Sequence, residues 1–312
     1  MCIIITMINQ TKKDSLKSAI PLMSLHVGLN AIIVTLSTFV PITSFFLVIF
    51  LPLISTVCCL KINWKGYLIY LISSILLSTI IAIQNLSIIF LNLVPSILQG
   101  FVFSYVIKKN KDGTIAFIIS TFILFLFYVL FIPFLNFIYE IDIINISLTL
   151  LGLVSLKNIE LFVYPGIFMI STFEVFLVSI ITRGEIKKLG YNLVFFENVS
   201  LFILIGNALF SFFNLIFFFL KIYQISYTFL TISLIFMIIL SIQLIKEKIL
   251  IFLPSLIGFI IISWIIYIAL APSFGYLASF NLFSISNILL GLEGIIYYSC
   301  SSKRTKKSQQ DV

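Results

Sequence analysis

Glu174 and Glu293 are acids set inside long apolar runs, where a carboxyl is a candidate for proton exchange or solute binding. Glu174 stands nine residues before Arg183, and Glu293 ten residues before Lys303. His26 follows Lys17 by nine residues, and Gln99 precedes Lys108 by nine. At about 1.5 Å per helical residue, all four sit roughly 13–15 Å inside a charged boundary. Polar groups at that depth in hydrocarbon are costly, and ionisable ones there are rare unless paired or functional. Four on separate runs at one depth can form a pocket for a small solute, with Glu174 and Glu293 as its proton-sensitive members. Asn30, together with Asn92, Asn207 and Asn214, adds donors and acceptors nearer the middle. The competing role is structural, each side chain bonding a neighbouring helix and fixing packing. For His26 that role is the more ordinary one.

Other chemistry lacks its residues. There is no Asp-rich metal motif, no His-Glu-x-x-His, no Gly-x-Ser-x-Gly and no phosphate-binding Gly-Lys-Ser/Thr loop. One histidine and eleven acids, mostly in connections, leave no visible machinery for hydrolysis or lipid transfer. The expectation is a non-enzyme without catalytic residues, metal or cofactor. Cys2, Cys58, Cys59 and Cys300 show no zinc-ligand spacing, and all four are expected near a reducing cytoplasm.

The elements that position these residues follow from composition. Sixty-one per cent of the 312 residues are apolar, 10% are charged, and the mean hydropathy is +1.24. That leaves too little charge for a soluble shell, so lipid is the expected surrounding. Hydropathy places ten spans at about 18–39, 42–60, 67–84, 87–107, 114–138, 161–182, 199–220, 223–245, 249–271 and 281–300. The expected class is therefore an all-α, polytopic integral membrane protein. The apolar run at the N-terminus, Cys2 to Ile8, is too short for a signal peptide, and its lysines follow it.

Charge sets the topology. Lys61 and Lys65, Lys108 and Lys109, and Arg183, Lys187 and Lys188 fall in alternate connections with the remaining basic residues. Of nineteen basic residues, only Lys157 and Lys221 fall on the other side of a ten-span arrangement. The positive-inside rule then puts both termini in the cytoplasm, in the cytoplasmic membrane. It also accounts for the net charge of +8 without nucleic acid, since no basic face interleaved with aromatics appears.

The chain divides into a front half at 1–139 with five spans, an external connection at 140–160, a rear half at 161–300 with five spans, and a basic tail at 301–312. Ile146 to Leu156 is too short to cross and reads as an interfacial or re-entrant helix. Glu185 to Ser200 reads as a surface helix or a plain connector. Pro165-Gly166 is a point where the sixth span is expected to loosen. Pro95-Ser-Ile-Leu-Gln-Gly-Phe and Pro254-Ser-Leu-Ile-Gly-Phe hint at an inverted five-plus-five repeat.

Several short motifs point to a family. Phe39-Val-Pro-Ile-Thr, Phe50-Leu-Pro-Leu, the loop from Lys61 to Gly66, and Gly100-Phe-Val-Phe-Ser-Tyr-Val-Ile-Lys-Lys-Asn-Lys resemble the YybS-like predicted membrane proteins. Val163-Tyr-Pro-Gly and Leu289-Leu-Gly-Leu-Glu-Gly fit the same layout in the rear half. That family's front half is similar to the substrate-binding S components of energy-coupling factor vitamin transporters. The resemblance implies a multi-pass fold, a small solute and an energising membrane/ATPase partner. The Ala-x-x-x-Ala face by which S components dock is absent; Ser24-x-x-x-Gly28 is the nearest pattern.

The leading expectation is a small-molecule permease or solute-binding membrane component in the lipid bilayer. The alternatives are a non-catalytic membrane scaffold that binds a partner, and a ten-span drug/metabolite-type carrier.

Overall fold

Without water, backbone N–H and C=O groups in a bilayer must satisfy one another, which leaves helices as the economical solution for runs this apolar. In the computed structural model, residues 16–40, 44–150, 159–196, 201–246, 252–274, 280–285 and 287–295 are described, and their regular structure is helical throughout. The helices are α1 (Leu16–Phe39), α2 (Ser44–Lys61), α3 (Trp64–Ile81), α4 (Val94–Lys108), α5 (Gly113–Tyr139), α6 (Ile143–Leu150), α7 (Val163–Lys188), α8 (Leu201–Phe219), α9 (Tyr223–Lys246) and α10 (Phe252–Phe274). A last short apolar helix, α11 (Asn281–Ile295), is opened by the 3-10 turn Phe280–Phe283.

Within the described residues, each of the ten expected spans overlaps helical structure. Seven segments among the described residues are long and apolar enough to cross a membrane: Ala19–Phe39, Trp64–Ile81, Ile83–Lys108, Gly113–Tyr139, Ile159–Lys188, Leu201–Phe219 and Tyr223–Gln243. Phe46–Lys61, within α2, and α11 are shorter apolar helices. Burial runs opposite to a soluble protein's. Asn30, Ser55, Ser74, Asn207, Asn214 and Ser226 are wholly buried, while Ile80 and Phe137 are 74% and 84% exposed. Apolar side chains turned outward at this density suit a lipid environment.

The helices gather into two compact units. The first comprises Met1–Ile141 with Phe173–Leu193, and the second Asp142–Thr172 with Val194–Val312. The division therefore passes through α7.

In the first unit, α2 and α4 make a close pair. A Cβ at Gly100 would collide with Ser55 and lie 2.7 Å from the Thr56 nitrogen, so glycine is what lets the backbones approach. Leu47, Leu51, Ile89, Leu93 and Ile97 fill the core around this contact. The fourth span is not a uniform helix. A 3-10 turn at Ile83–Asn85 and one α-turn at Leu86–Ile88 lead into a π-turn at Ile89–Leu93. Pro95, lacking an N–H, cannot bond the carbonyl four residues back, and the wider turn precedes it.

The connections of this unit sort to two ends. The Lys108 Nζ donates to the Cys59 and Ile62 carbonyls at 2.7 and 2.8 Å. The basic loops 61–65 and 108–112 therefore share one end, and the lysine caps the carbonyls at the end of α2. The Tyr139 hydroxyl, at the far end of α5, accepts from the Leu86 N–H at 3.0 Å. The connection after α3 thus lies with the end of α5.

Three expectations need correction. Pro165 and Gly166 do not loosen a span; they lie in the first turn of α7, where a missing N–H costs nothing, after the 3-10 turn Ile159–Phe162. α7 also runs past Thr182 through the charged cluster to Lys188. It ends at Gly190, whose φ of +84° lets the Tyr191 N–H reach the Ile186 carbonyl at 3.2 Å. After it, residues 191–195 are non-helical, and 197–200 lie outside the described residues. The short helix α6 begins at Ile143 and not at Ile146, because the Asp142 carboxylate accepts from the Asn145 N–H at 3.0 Å. Residues 151–158 of that connection lie outside the described residues, as do the basic residues of both termini.

Candidate functional site

Asn30 lies on α1, Ser55 on α2, and Tyr70 and Ser74 on one face of α3. The Asn30 Nδ2 donates to the Tyr70 hydroxyl at 2.7 Å and to Ser74 Oγ at 3.3 Å. Ser55 Oγ and the Tyr70 hydroxyl lie 3.0 Å apart. All four side chains are wholly buried. A network of this kind ties three helices together where apolar contact alone gives little preference over lipid.

Beside this network a cleft of about 470 Å³ lies between α1 and α3, open to the surface along the exposed Ile20, Ser24, Ile69 and Leu77. Ile20, Met23, Val27, Ile69 and Leu77 form its apolar wall, Ser24 and Ser73 supply hydroxyls, and the buried Tyr70 backs the wall. Gly28 also lines it, and a Cβ there would meet nothing within 4 Å. The volume lies in the range of small-molecule sites, which are mostly apolar with a few fixed polar groups. Among the described residues, no charged side chain lines it.

Of the residues expected to share a pocket, His26, Gln99 and Glu174 belong to the first unit. His26 is buried, and its Nδ1 lies 2.7 Å from the Leu22 carbonyl one turn back on its own helix. Gln99 is buried on α4, and among the described residues its Oε1 has no hydrogen-bond partner. The half-buried Glu174 accepts from the Tyr128 hydroxyl of α5 at 2.8 Å. None of these three lines the cleft. Glu293, half-buried on α11, belongs to the second unit. Of the five candidate polar residues, Asn30 is the one whose bonds lead to the cleft wall, through Tyr70.

The second unit holds its own polar seam. Asn207, Ser211 and Asn214 follow one another along one buried face of α8. They meet Asn281, Ser284 and Asn287, which belong to α11. The Asn214 Nδ2 donates to the Asn281 carbonyl at 2.9 Å and also to Ser284 Oγ. The Asn207 Nδ2 donates to the Asn287 carbonyl at 2.9 Å. Because 214 pairs with 281 and 207 with 287, the two segments run antiparallel. From α9, Ser226 Oγ contacts Asn214 Oδ1 at 2.6 Å, and Ser233 Oγ accepts from the Asn287 Nδ2 at 3.1 Å. Below this seam, Gly291 and Gly294 pack against Ala208 and Leu204. Sequence reasoning named Asn207 and Asn214 but missed their partners, which the seven-residue spacing of two asparagines on one helix face signals.

Among the described residues, no group of three or more His, Cys, Asp or Glu side chains is arranged to hold a metal. Cys58 and Cys59 are buried free thiols. Lys65, Lys109, Arg183, Lys187 and Lys188, expected to set the topology, are exposed, and Lys188 pairs with Glu185 on the surface of α7. No protein family, curated protein or solved structure matches the chain.

Proposed function

We propose that this membrane protein is a solute-binding membrane component or permease for a small, uncharged, largely apolar molecule. The cleft between α1 and α3 carries the reading. Its apolar wall would hold the body of the solute, and the hydroxyls of Ser24 and Ser73 would orient one polar group. Asn30 and Ser55 hold the Tyr70 hydroxyl, so the wall it backs is set before any solute arrives, which spares ordering entropy on binding.

The reading includes ten spans with both termini cytoplasmic. The shared end of the two basic loops in the first unit supports the orientation. The antiparallel seam between α8 and α11 supports counting the short α11 as a span. The cytoplasmic membrane as location, the likeness to YybS-like proteins, and an energising ATPase partner are parts of the same proposal.

Saturable solute uptake into proteoliposomes containing the purified protein, measured against empty liposomes, tests it. Uptake that never saturates, or none across a panel of small neutral solutes, would favour a scaffold that binds a partner through its basic loops.

A further inference from the structure

We infer that the outer face of α4, at its basic end, binds an anionic phospholipid. The site is a stripe of side chains that helix register and the following turn bring into line. Phe101 and Tyr105 stand one turn apart on α4, and Lys109 caps that helix one turn further on. The chain then folds back. Asn110 takes the left-handed conformation, with a φ of 47°. Its N–H donates to the Ile107 carbonyl at 3.1 Å, and the Lys111 N–H donates to the Val106 carbonyl at 3.0 Å. That reversal sets the Lys111 Nζ over the Tyr105 ring, 5.8 Å from its centre.

α3 adds the lower part of the stripe. The Trp64 ring meets the Phe101 ring edge-on, with centres 5.3 Å apart. Trp64 and Tyr105 are 58% and 47% exposed, so two amphipathic rings face outward beside the half-buried Phe101. Lys108 ends a segment long enough to cross a membrane. This end therefore lies at the depth of lipid headgroups, where tryptophan and tyrosine settle.

The charge above these rings is not offset by the protein. Asp112, the acid of this turn, directs its carboxylate to the Thr114 N–H and Oγ1 at 2.8 and 2.6 Å. Among the described residues, the one ion pair is between Lys188 and Glu185. Lys108 is committed to the Cys59 and Ile62 carbonyls, whereas Lys109 and Lys111 are exposed. Two ammonium groups over an aromatic surface match a phospholipid in both its parts. The phosphate lies against the lysines, and the upper acyl chains lie against Trp64 and Phe101. A zwitterionic headgroup brings its own cation and gains less from the lysines. The inference is independent of the cleft and does not require transport.

Trp64 supplies the reporter, because Trp264→Phe leaves it as the one tryptophan of the chain. The full chain with that substitution is reconstituted in phosphatidylcholine containing brominated phosphatidylglycerol or brominated phosphatidylcholine, and Trp64 quenching gives the relative affinity. Phosphatidylglycerol should bind at least about fivefold more tightly than phosphatidylcholine, and Lys109→Gln with Lys111→Gln should bring the ratio to about one. Arg183→Gln with Lys187→Gln removes the same charge from exposed positions on α7 and should leave the ratio unchanged. Equal quenching by the two lipids would overturn the inference. So would a ratio that survives the Lys109 and Lys111 substitutions, or one that falls as far in the α7 control, since net charge alone would then be acting. Loss of the preference in millimolar inorganic phosphate would overturn it as well, and assign the lysines to a soluble anion.

Discussion

The Tyr128 hydroxyl of α5 donates to the Glu174 carboxyl of α7 at 2.8 Å, linking two long helices of the first unit across sequence positions far apart. Losing one partner should cost more than losing both. Tyr128→Phe leaves a carboxyl at membrane depth without its donor, a loss of about 1–3 kcal/mol. Glu174→Gln keeps an acceptor oxygen and should cost under about 1 kcal/mol. Tyr128→Phe combined with Glu174→Leu should be more stable than Tyr128→Phe alone. Thermal unfolding of the four proteins checks the order. If Glu174 also serves transport, Glu174→Gln should change uptake or its pH dependence while expression holds.

Gly28→Leu should fill the cleft without harming the fold. An added Cβ at Gly28 meets nothing within 4 Å, and replacing a mid-helix glycine gains up to about 1 kcal/mol of helix propensity. Tm should hold or rise, while the saturable part of solute uptake should fall at least about tenfold. Undiminished uptake in a stable Gly28→Leu protein would remove the cleft from the solute's path.

Gly100 presents the opposite case. Its missing Cβ is the space in which Ser55 and the Thr56 backbone sit. Gly100→Ala should force α2 and α4 apart and destabilise by about 1–3 kcal/mol, despite better helix propensity. Comparing Gly28→Ala with Gly100→Ala in one unfolding assay separates packing from propensity, because the two substitutions are chemically identical and should shift Tm in opposite directions.

The helices were legible because hydropathy over twenty residues is a strong signal, and within the described residues each expected span overlaps helical structure. The candidate pocket was less so, for a geometric reason. Counting residues from Lys108 or Arg183 gives a side chain's depth but not the direction it faces around its helix. Gln99 and Glu174 share a depth, yet the Glu174 bond leads to Tyr128 on α5 while Gln99 is buried on α4. His26 turns to a carbonyl of its own helix. The cleft depends on which faces of α1 and α3 oppose each other, and nothing local marks Tyr70 or Ser73 in a chain with thirteen tyrosines and abundant serine. Pro165 shows the converse error, since a proline disrupts a helix interior but suits its first turn.

Single cysteines at the two ends of the first unit should label from opposite sides of the membrane. Lys65 and Lys109 are exposed at the end that Lys108 joins to the carbonyls of Cys59 and Ile62. Gln84 and Glu140 are exposed at the end marked by the bond between Tyr139 and Leu86. Cys58 and Cys59 are buried and should react slowly, though replacing them gives a cleaner background. With a membrane-impermeant maleimide on intact cells, Gln84→Cys and Glu140→Cys should label at once. Lys65→Cys and Lys109→Cys should label only after permeabilisation, as the positive-inside rule requires. Reporter fusions at both termini should agree with the lysine side if the span count is even. An external reading at one terminus would mean an odd count, with α11 the first span to reconsider because it is the shortest. All four cysteines labelling from one side would remove the membrane-crossing arrangement of α3, α4 and α5 altogether.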